Sequence, residues 1–331
     1  MKFDVFGVGN ALLDINYAVT EEFLQEHHLQ KGRMALIDET TLAQMQAWPL
    51  PPAQMSSGGS AANSMMALAM LGGTAYYACQ VAPDAEGQAY LNDLQKMGVQ
   101  SPPLPQQQTY QGKATGRCCV FISPDAERTM YTYLGACTSL DAALISEEVM
   151  DAAQLVYLEG YLAAQEAAWA ALNKVVRLAH KLAKPLALTF SDVNIIEHCR
   201  PILDKILQEK IAYLFCNEQE AHAFTGQHDL KQAGRQLLNT AQHVCITCGV
   251  QGAWLFPGAR LIQAPQVKAI DTNGAGDMFA GCFLYGITHH WPPEKAAQLA
   301  CNAAALLTTQ PGARLSATQL AQQKAAFDDL K

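Results

Sequence analysis

The stretch that decides the fold is DTNGAGDMFAGCFLYGI, residues 271–287. Asp271, Thr272 and Asn273 are turn and cap formers, placed after a strand expected to end over residues 267–270. Gly274, Ala275 and Gly276 carry little or no side chain to block an approaching ligand. Beyond them Phe279, Cys282, Phe283, Gly286 and Ile287 recur at helical spacing, which predicts a helix from about Gly274 with one buried face. A helix start leaves unpaired backbone N–H groups and a partial positive charge, an anion site in the making. Asp277 falls in that first turn. An acid there also merely complements the helix dipole, and glycines are common in turns. A phosphate cradle beside a carboxylate points further, to phosphoryl transfer with Asp277 taking a proton.

Two stretches far upstream are of the same kind. SSGGSAAN, residues 56–63, opens a second helix that Ser60 is expected to cap. Met65, Met66, Leu68, Ala69 and Leu71 form its apolar side, and Gly72-Gly73 ends it. FDVFGVGN, residues 3–10, is a short apolar strand running into Gly-x-Gly. The dinucleotide-binding fingerprint would need a third glycine, and here Asp14 follows instead. On its own Asp14 reads equally well as a turn aspartate.

GNALLDI (residues 9–15), SGGSAAN (57–63) and the DTNGAGD run together resemble the signature regions of the ribokinase-like (PfkB) carbohydrate and nucleoside kinases. The resemblance runs from Gly9 to Gly312. GNALLDI, RMALIDE and DAERTM bring it closest to the adenosine kinase branch, although Ala11 replaces the proline usual in eukaryotic adenosine kinases. It implies a three-layer α/β fold with a central, mainly parallel sheet and a small β-sheet lid. Residues 1–331 would form one domain, with the lid drawn from segments within about 15–56 and 110–135.

The resemblance also assigns roles. Asp277 is the catalytic base, and the backbone of Gly274, Ala275 and Gly276 holds the transferring phosphate. Arg128 contacts the incoming phosphate, a role that suits a fixed positive charge. Asp14 holds two sugar hydroxyls, Gly58 and Gly59 let the backbone touch the sugar, and Asn63 bonds a hydroxyl. Asn10, Ser60 and Asn273 join the substrate contacts. Leu12, Leu36, Phe121 and Leu134 fall where a nucleoside base needs an apolar wall. Asn217 and Glu220 fit an N-x-x-E element, Glu220 reaching Mg²⁺ through water, although the pair also satisfies ordinary capping rules. Thr247, Gly249 and Asn302 lie where the family places ATP. Asp271 would help hold a monovalent cation such as K⁺. The implied cofactors are thus ATP and Mg²⁺.

Bulk properties agree with a compact enzyme. The chain has 331 residues, half of them hydrophobic and 16% charged. With 22 basic against 30 acidic residues the net charge is -8, and no basic cluster marks a nucleic-acid partner. Asp4 and Asp14 come too early for a signal peptide, and no apolar run is long enough to span a membrane. Ten scattered cysteines in apolar contexts fit reduced thiols in the cytoplasm. Cys245 and Cys248 stand three apart in an expected strand and so face opposite ways, which favours packing over metal or redox work. From residue 154 onward, strand-like and helix-like segments alternate, as in a parallel sheet covered on both faces.

The expected reaction is ATP-dependent phosphorylation of a primary hydroxyl, most readily the 5′-OH of adenosine, by a monomer or homodimer. A sugar kinase, an inosine or guanosine kinase, and a non-catalytic nucleoside sensor stay open.

Overall fold

The segment Phe3–Val8 is apolar on both faces, the pattern of a strand covered from both sides, and it forms β1 in the interior of the larger sheet. The computed structural model describes residues 2–125, 127–208 and 211–328. After β1 come β2 (Leu12–Ala18), α1 (Glu21–Glu26), β3 (Met34–Leu36), α2 (Glu39–Gln46) and β4 (Gln54–Gly58). Then follow α3 (Ser60–Met70), β5 (Ala75–Ala78), α4 (Ala85–Lys96), β6 (Val99–Gln100), β7 (Gly116–Ile122) and β8 (Arg128–Tyr133).

The second half alternates. It runs through α5 (Glu147–Asp151), β9 (Ala153–Glu159), α6 (Trp169–Lys181), β10 (Leu186–Thr189), α7 (Val193–Leu207) and β11 (Ile211–Asn217). Next are α8 (Glu218–Thr225), α9 (Leu230–Leu237), β12 (Ala241–Thr247), β13 (Ala253–Phe256) and β14 (Arg260–Ile262). Three helices finish the described chain: α10 (Ala275–Thr288), α11 (Pro293–Leu307) and α12 (Ala317–Asp328).

Among the described residues the large sheet has nine strands, ordered β14-β13-β12-β11-β10-β9-β1-β5-β6. All its pairings are parallel except the two at the β12–β13–β14 edge. One face is covered by α3, α4, α10, α11 and α12, the other by α5 to α9, giving three layers around two apolar cores. Cys245 packs into the first core and Cys248 into the second, as their spacing predicts. On the first face α10 lies close on α3, because Gly281 has no Cβ to strike the carbonyl of Ser64.

A five-stranded second sheet, ordered β3-β8-β7-β2-β4, stands apart from the layers. One side of it is covered by α1 and α2, where Leu24, Leu42 and Met45 pack on Phe121 and Cys119. The other side carries Asp14, in register with Ser56 and Cys118.

Two expectations need correction. Residues 267–270 are not a strand. They have left the edge at β14, Ile270 is 59% exposed, and Ile270 and Asp271 donate to the carbonyl of Thr308 at the end of α11. Ser60 does not cap α3. The N-cap is Gly59, and no side chain of the cap residue bonds the helix.

Candidate active site

Where Ser60 is freed from capping, it turns to Asp277. Its hydroxyl donates to Asp277 Oδ1 at 2.6 Å, and the Asn63 amide donates to Oδ2 at 3.0 Å. The base candidate is therefore fixed by two donors from the first turn of α3. Around it α10 begins at Gly274, whose φ of 74° suits a residue without a side chain. A Cβ on Gly274 would meet the backbone of Ala313 at 2.7 Å, whereas one on Gly276 would meet nothing within 4 Å. The first turn of α10 is thus packed on one side and open on the other. Burial pushes the half-buried Asp277 up to about 6, against the opposing pull of Ser60 and Asn63.

The start of α3 is held by a residue that the sequence reading missed. Glu159, at the end of β9 and only 1% exposed, accepts the N–H of Ala61 and the N–H of Asn10, each at 2.8 Å. It acts as a cap supplied by a distant strand. Burial pushes it up to about 7, while those two N–H bonds pull the other way and Asp277 adds to the rise. An acid closing the apolar run QLVYLE was a visible signal, but nothing local tied it to residues 10 and 61. Asn10 is buried, and its Oδ1 accepts from Gln165 at 2.8 Å, another contact with no signal in the sequence.

Asp14 sits on β2 opposite Ser56 of β4 and Cys118 of β7. The glycine beside it is required: a Cβ at Gly58 would lie 2.6 Å from Asp14 Oδ1. Gly59, at φ 103°, lies so close to the carbonyl of Asn10 that no side chain fits. Burial again dominates and pushes Asp14 up to about 6, with Arg314 and Arg128 opposing and Asp277 adding to the rise. The charge of Asp277 therefore reaches Asp14.

Of the four wall candidates, Leu12 and Leu134 meet at Gly116, where a Cβ would lie 2.8 Å from Leu12 Cδ2 and 2.6 Å from the carbonyl of Leu134. Leu134 also lines a cavity of about 740 Å³ together with Thr138 and Gln165. Leu36, on the edge strand β3, is 63% exposed. Phe121 does not belong to this surface. It is fully buried on the other side of the small sheet, stacked on Tyr17 and packed against Phe23 and Trp48. Residues 118–122 are apolar without a break, so alternation could not show which of them face the helices.

Arg128 and Asp271 were assigned to different ligands, and the structure places them on each other, 3.0 Å apart. Asp271 also accepts the N–H groups of Asn273 and Gly312. Asn217 and Glu220 form a full capping box at the start of α8, and burial pushes Glu220 up to about 7. Thr247 ends β12 beside Asn217, and Gly249, with φ 51°, opens the turn after it. A Cβ on Gly249 would meet nothing within 4 Å. Asn302, on α11, accepts from Gln298. Among the described residues no group of three or more His, Cys, Asp or Glu side chains is set to hold a metal ion, and no helix is long and apolar enough to cross a membrane.

A carboxylate with a raised pKa, held by two neutral donors at an open helix start, can accept a proton while the N–H groups beside it hold an anion. Comparisons with known proteins give the family. The profile of the pfkB family carbohydrate kinases matches residues 41–320. An adenosine kinase of Saccharomyces cerevisiae is 29% identical over 308 residues, covering 85% of this chain and 87% of that protein. The crystal structure of a probable sugar kinase protein from Rhizobium etli CFN 42 superposes with a TM-score of 0.86 at 32% identity, over 98% of this chain and 99% of that one. That of adenosine kinase from Sinorhizobium meliloti gives 0.85 at 31% identity, over 98% and 100%. Family profile, near full-length relatives and three-layer fold coincide, and the chain belongs to the pfkB family of carbohydrate kinases, phosphotransferases that act on a hydroxyl group.

Proposed function

We propose that the chain transfers the γ-phosphate of ATP to the 5′-OH of a ribonucleoside, with adenosine giving AMP as the preferred reaction. The observation that carries this reading is Asp277, bonded to Ser60 and Asn63 at the open start of α10, with its charge reaching Asp14. Asp14 would take the sugar hydroxyls, and Gly58, Gly59, Asn10 and Asn273 would complete the sugar contacts. Leu12 and Leu134 would bound the base, with Leu36 arriving as the small sheet closes as a lid over a single kinase domain.

The 5′-oxygen attacks the γ-phosphorus as the bond to the β,γ-bridging oxygen breaks. The hydroxyl proton passes to Asp277, and ADP departs. The first-turn N–H groups of residues 274–276 and the guanidinium of Arg128 would hold the charge on the moving phosphoryl group. Mg²⁺ enters with ATP as part of the substrate. Glu220 would reach it through water, and Thr247, Gly249 and Asn302 would border the nucleotide. A monovalent cation such as K⁺ at Asp271 would replace Arg128 as its counter-charge. All ten cysteines are free, which supports work in a reducing compartment such as the cytoplasm.

The relatives named as adenosine kinases support the nucleoside reading, and the Rhizobium etli relative named as a probable sugar kinase supports a second, phosphorylation of a free sugar. ADP release with ATP and Mg²⁺ across adenosine, inosine, guanosine, ribose and fructose separates them. Strong preference for adenosine is expected. Preference for ribose or fructose keeps Asp277 as the base and removes the base wall, and release with none of them overturns the reading.

A further inference from the structure

Arg314 has no part in the chemistry above, yet its guanidinium lies one side chain from Asp277. Its Nε donates to Asn63 Oδ1 at 3.3 Å, and its Nη1 pairs with Asp93 Oδ2 at 3.2 Å. Asp93 in turn accepts the backbone N–H of Ser57 at 3.0 Å and the Ser57 hydroxyl. The Arg314 side chain is 15% exposed. It leaves the loop whose preceding residues, Gly312 and Ala313, touch Asp271 and Gly274.

The polarity of this chain of contacts is fixed from one end. An arginine side chain only donates, so Asn63 must offer it the carbonyl oxygen. The Asn63 NH₂ then necessarily faces Asp277 Oδ2, as observed. A donor in that place favours the ionised carboxylate, because a charged oxygen accepts more strongly than the oxygen of a neutral carboxyl. Ser60 can turn its hydroxyl either way, whereas Asn63, held by Arg314, cannot turn its amide.

We propose that Arg314 is a positioning residue: by holding Asn63 Oδ1 it fixes Asn63 as a donor and keeps Asp277 unprotonated and ready to take the hydroxyl proton. The role rests on Asp277 being the base of the proposed reaction. Other groups also bear on Asp277, Asp14 or Arg314: Arg128 from β8, Cys118 from β7, Glu159 and Tyr157 from β9, Tyr161 after it, Asp93 and Tyr90 from α4, and Asp14 itself. Arg314 lowers Asp14 by its charge as well, so the test has to separate charge from hydrogen bond.

Arg314→Met keeps the stem and removes both, and Arg314→Lys keeps the charge and removes the planar Nε–H. Each is made alone and with Asn63→Ala. The acid limb of kcat is recorded against pH, and the Asp277 carboxyl of the free protein is titrated by carbon NMR, assigned with Asp277→Asn. The expected result is an upward move of both the limb and the titration by about one pH unit in Arg314→Lys and by at least as much in Arg314→Met. The part seen in Arg314→Lys should vanish in the Asn63→Ala background. An unchanged Asp277 titration in Arg314→Lys overturns the proposal, as does a shift of the same size with and without Asn63. If Arg314→Met fails to fold, the lysine variant alone decides. A wild-type protein that releases no ADP with any of the five acceptors overturns the reaction instead, and the free-protein titration still judges Arg314.

Discussion

Arg128 Nη2 lies 3.0 Å from Asp271 Oδ2, and that same oxygen accepts the Gly312 N–H. One carboxylate thereby joins the small sheet, the loop before α10 and the loop after α11. With ATP bound, the proposed reaction needs the guanidinium at the phosphate, so the pair has to exchange partners during turnover. Arg128→Gln should lower kcat by roughly 10²–10³ while leaving adenosine binding within a few-fold of wild type. Calorimetric titration of adenosine beside steady-state kinetics checks this, and a loss confined to adenosine binding would move Arg128 out of the phosphate site.

Asp277→Asn keeps the shape of the carboxyl and removes the proposed base. Turnover should fall by at least about 10³, with adenosine still bound, since Asp14 and Gly58 are untouched. A variant that binds normally and turns over within tenfold of wild type would disqualify Asp277 as base.

Activity and stability should run in opposite directions with pH. Asp14 and Asp277 are pushed up to about 6, and Glu159 and Glu220 to about 7. Each folded value lies above the unfolded one, so the stability these groups contribute is full below about 4 and is lost as pH rises through 6 to 7. With Asp14 and Asp277 in their proposed roles, kcat/KM should fall as pH drops below about 6, where both take up protons. Across pH 5 to 7.5, Asp277→Asn should lose less thermal stability than wild type. Parallel curves for the two proteins would show that Asp277 titrates near its ordinary value.

Two glycines predict opposite outcomes. Gly58→Ala drives a methyl group against the Asp14 carboxyl, so KM for the nucleoside should rise about tenfold or more with a lowered Tm. Gly276→Ala meets open space inside a helix and should hold or raise stability by about 0.5–1 kcal/mol while turnover falls, because the added methyl borders the anion site. Melting curves and kinetics of both variants, read together, test the assignment.

Phe121 and Leu134 separate core from wall. Phe121→Ala empties a fully buried aromatic site and should cost about 3–5 kcal/mol in denaturant unfolding. Its nucleoside KM in the folded fraction should stay near wild type. Leu134→Ala should do the reverse, raising KM for adenosine more than for ribose and changing stability little.

The three-layer α/β fold was legible because strand and helix periods alternate over the second half and the helix starts carry their own turn chemistry. Asp277 and Gly276 were legible because their reason for being there is local to one helix start. The contacts that orient them were not. Glu159 reaches Asn10 and Ala61 across separate strands, and Arg314 reaches Asn63 across 251 positions, so no spacing in the chain encodes either contact. Phe121 was misread because an unbroken apolar run gives no face, and only the packing of α1 and α2 chooses one. The partner choice of Arg128 was hidden for another reason: two opposite charges with separate expected ligands satisfy each other where both reach the same place.

The long reach between Asp277 and its donors has a consequence for biosynthesis. Ser60 and Asn63 precede Asp277 by 217 and 214 residues, and β1 lies between two strands that both come later in the chain. As the chain leaves the ribosome, β1, β5 and α3 are made early and pack on one another, but the face of α3 that takes α10 stays uncovered until Gly281 settles over Ser64. Until residue 277 has been made, a nascent chain therefore carries that uncovered face, and a Ser60 and an Asn63 without the carboxylate they bond. Closure of that face and arrival of the Asp277 carboxylate are one event, so a chain stalled before α10 lacks both.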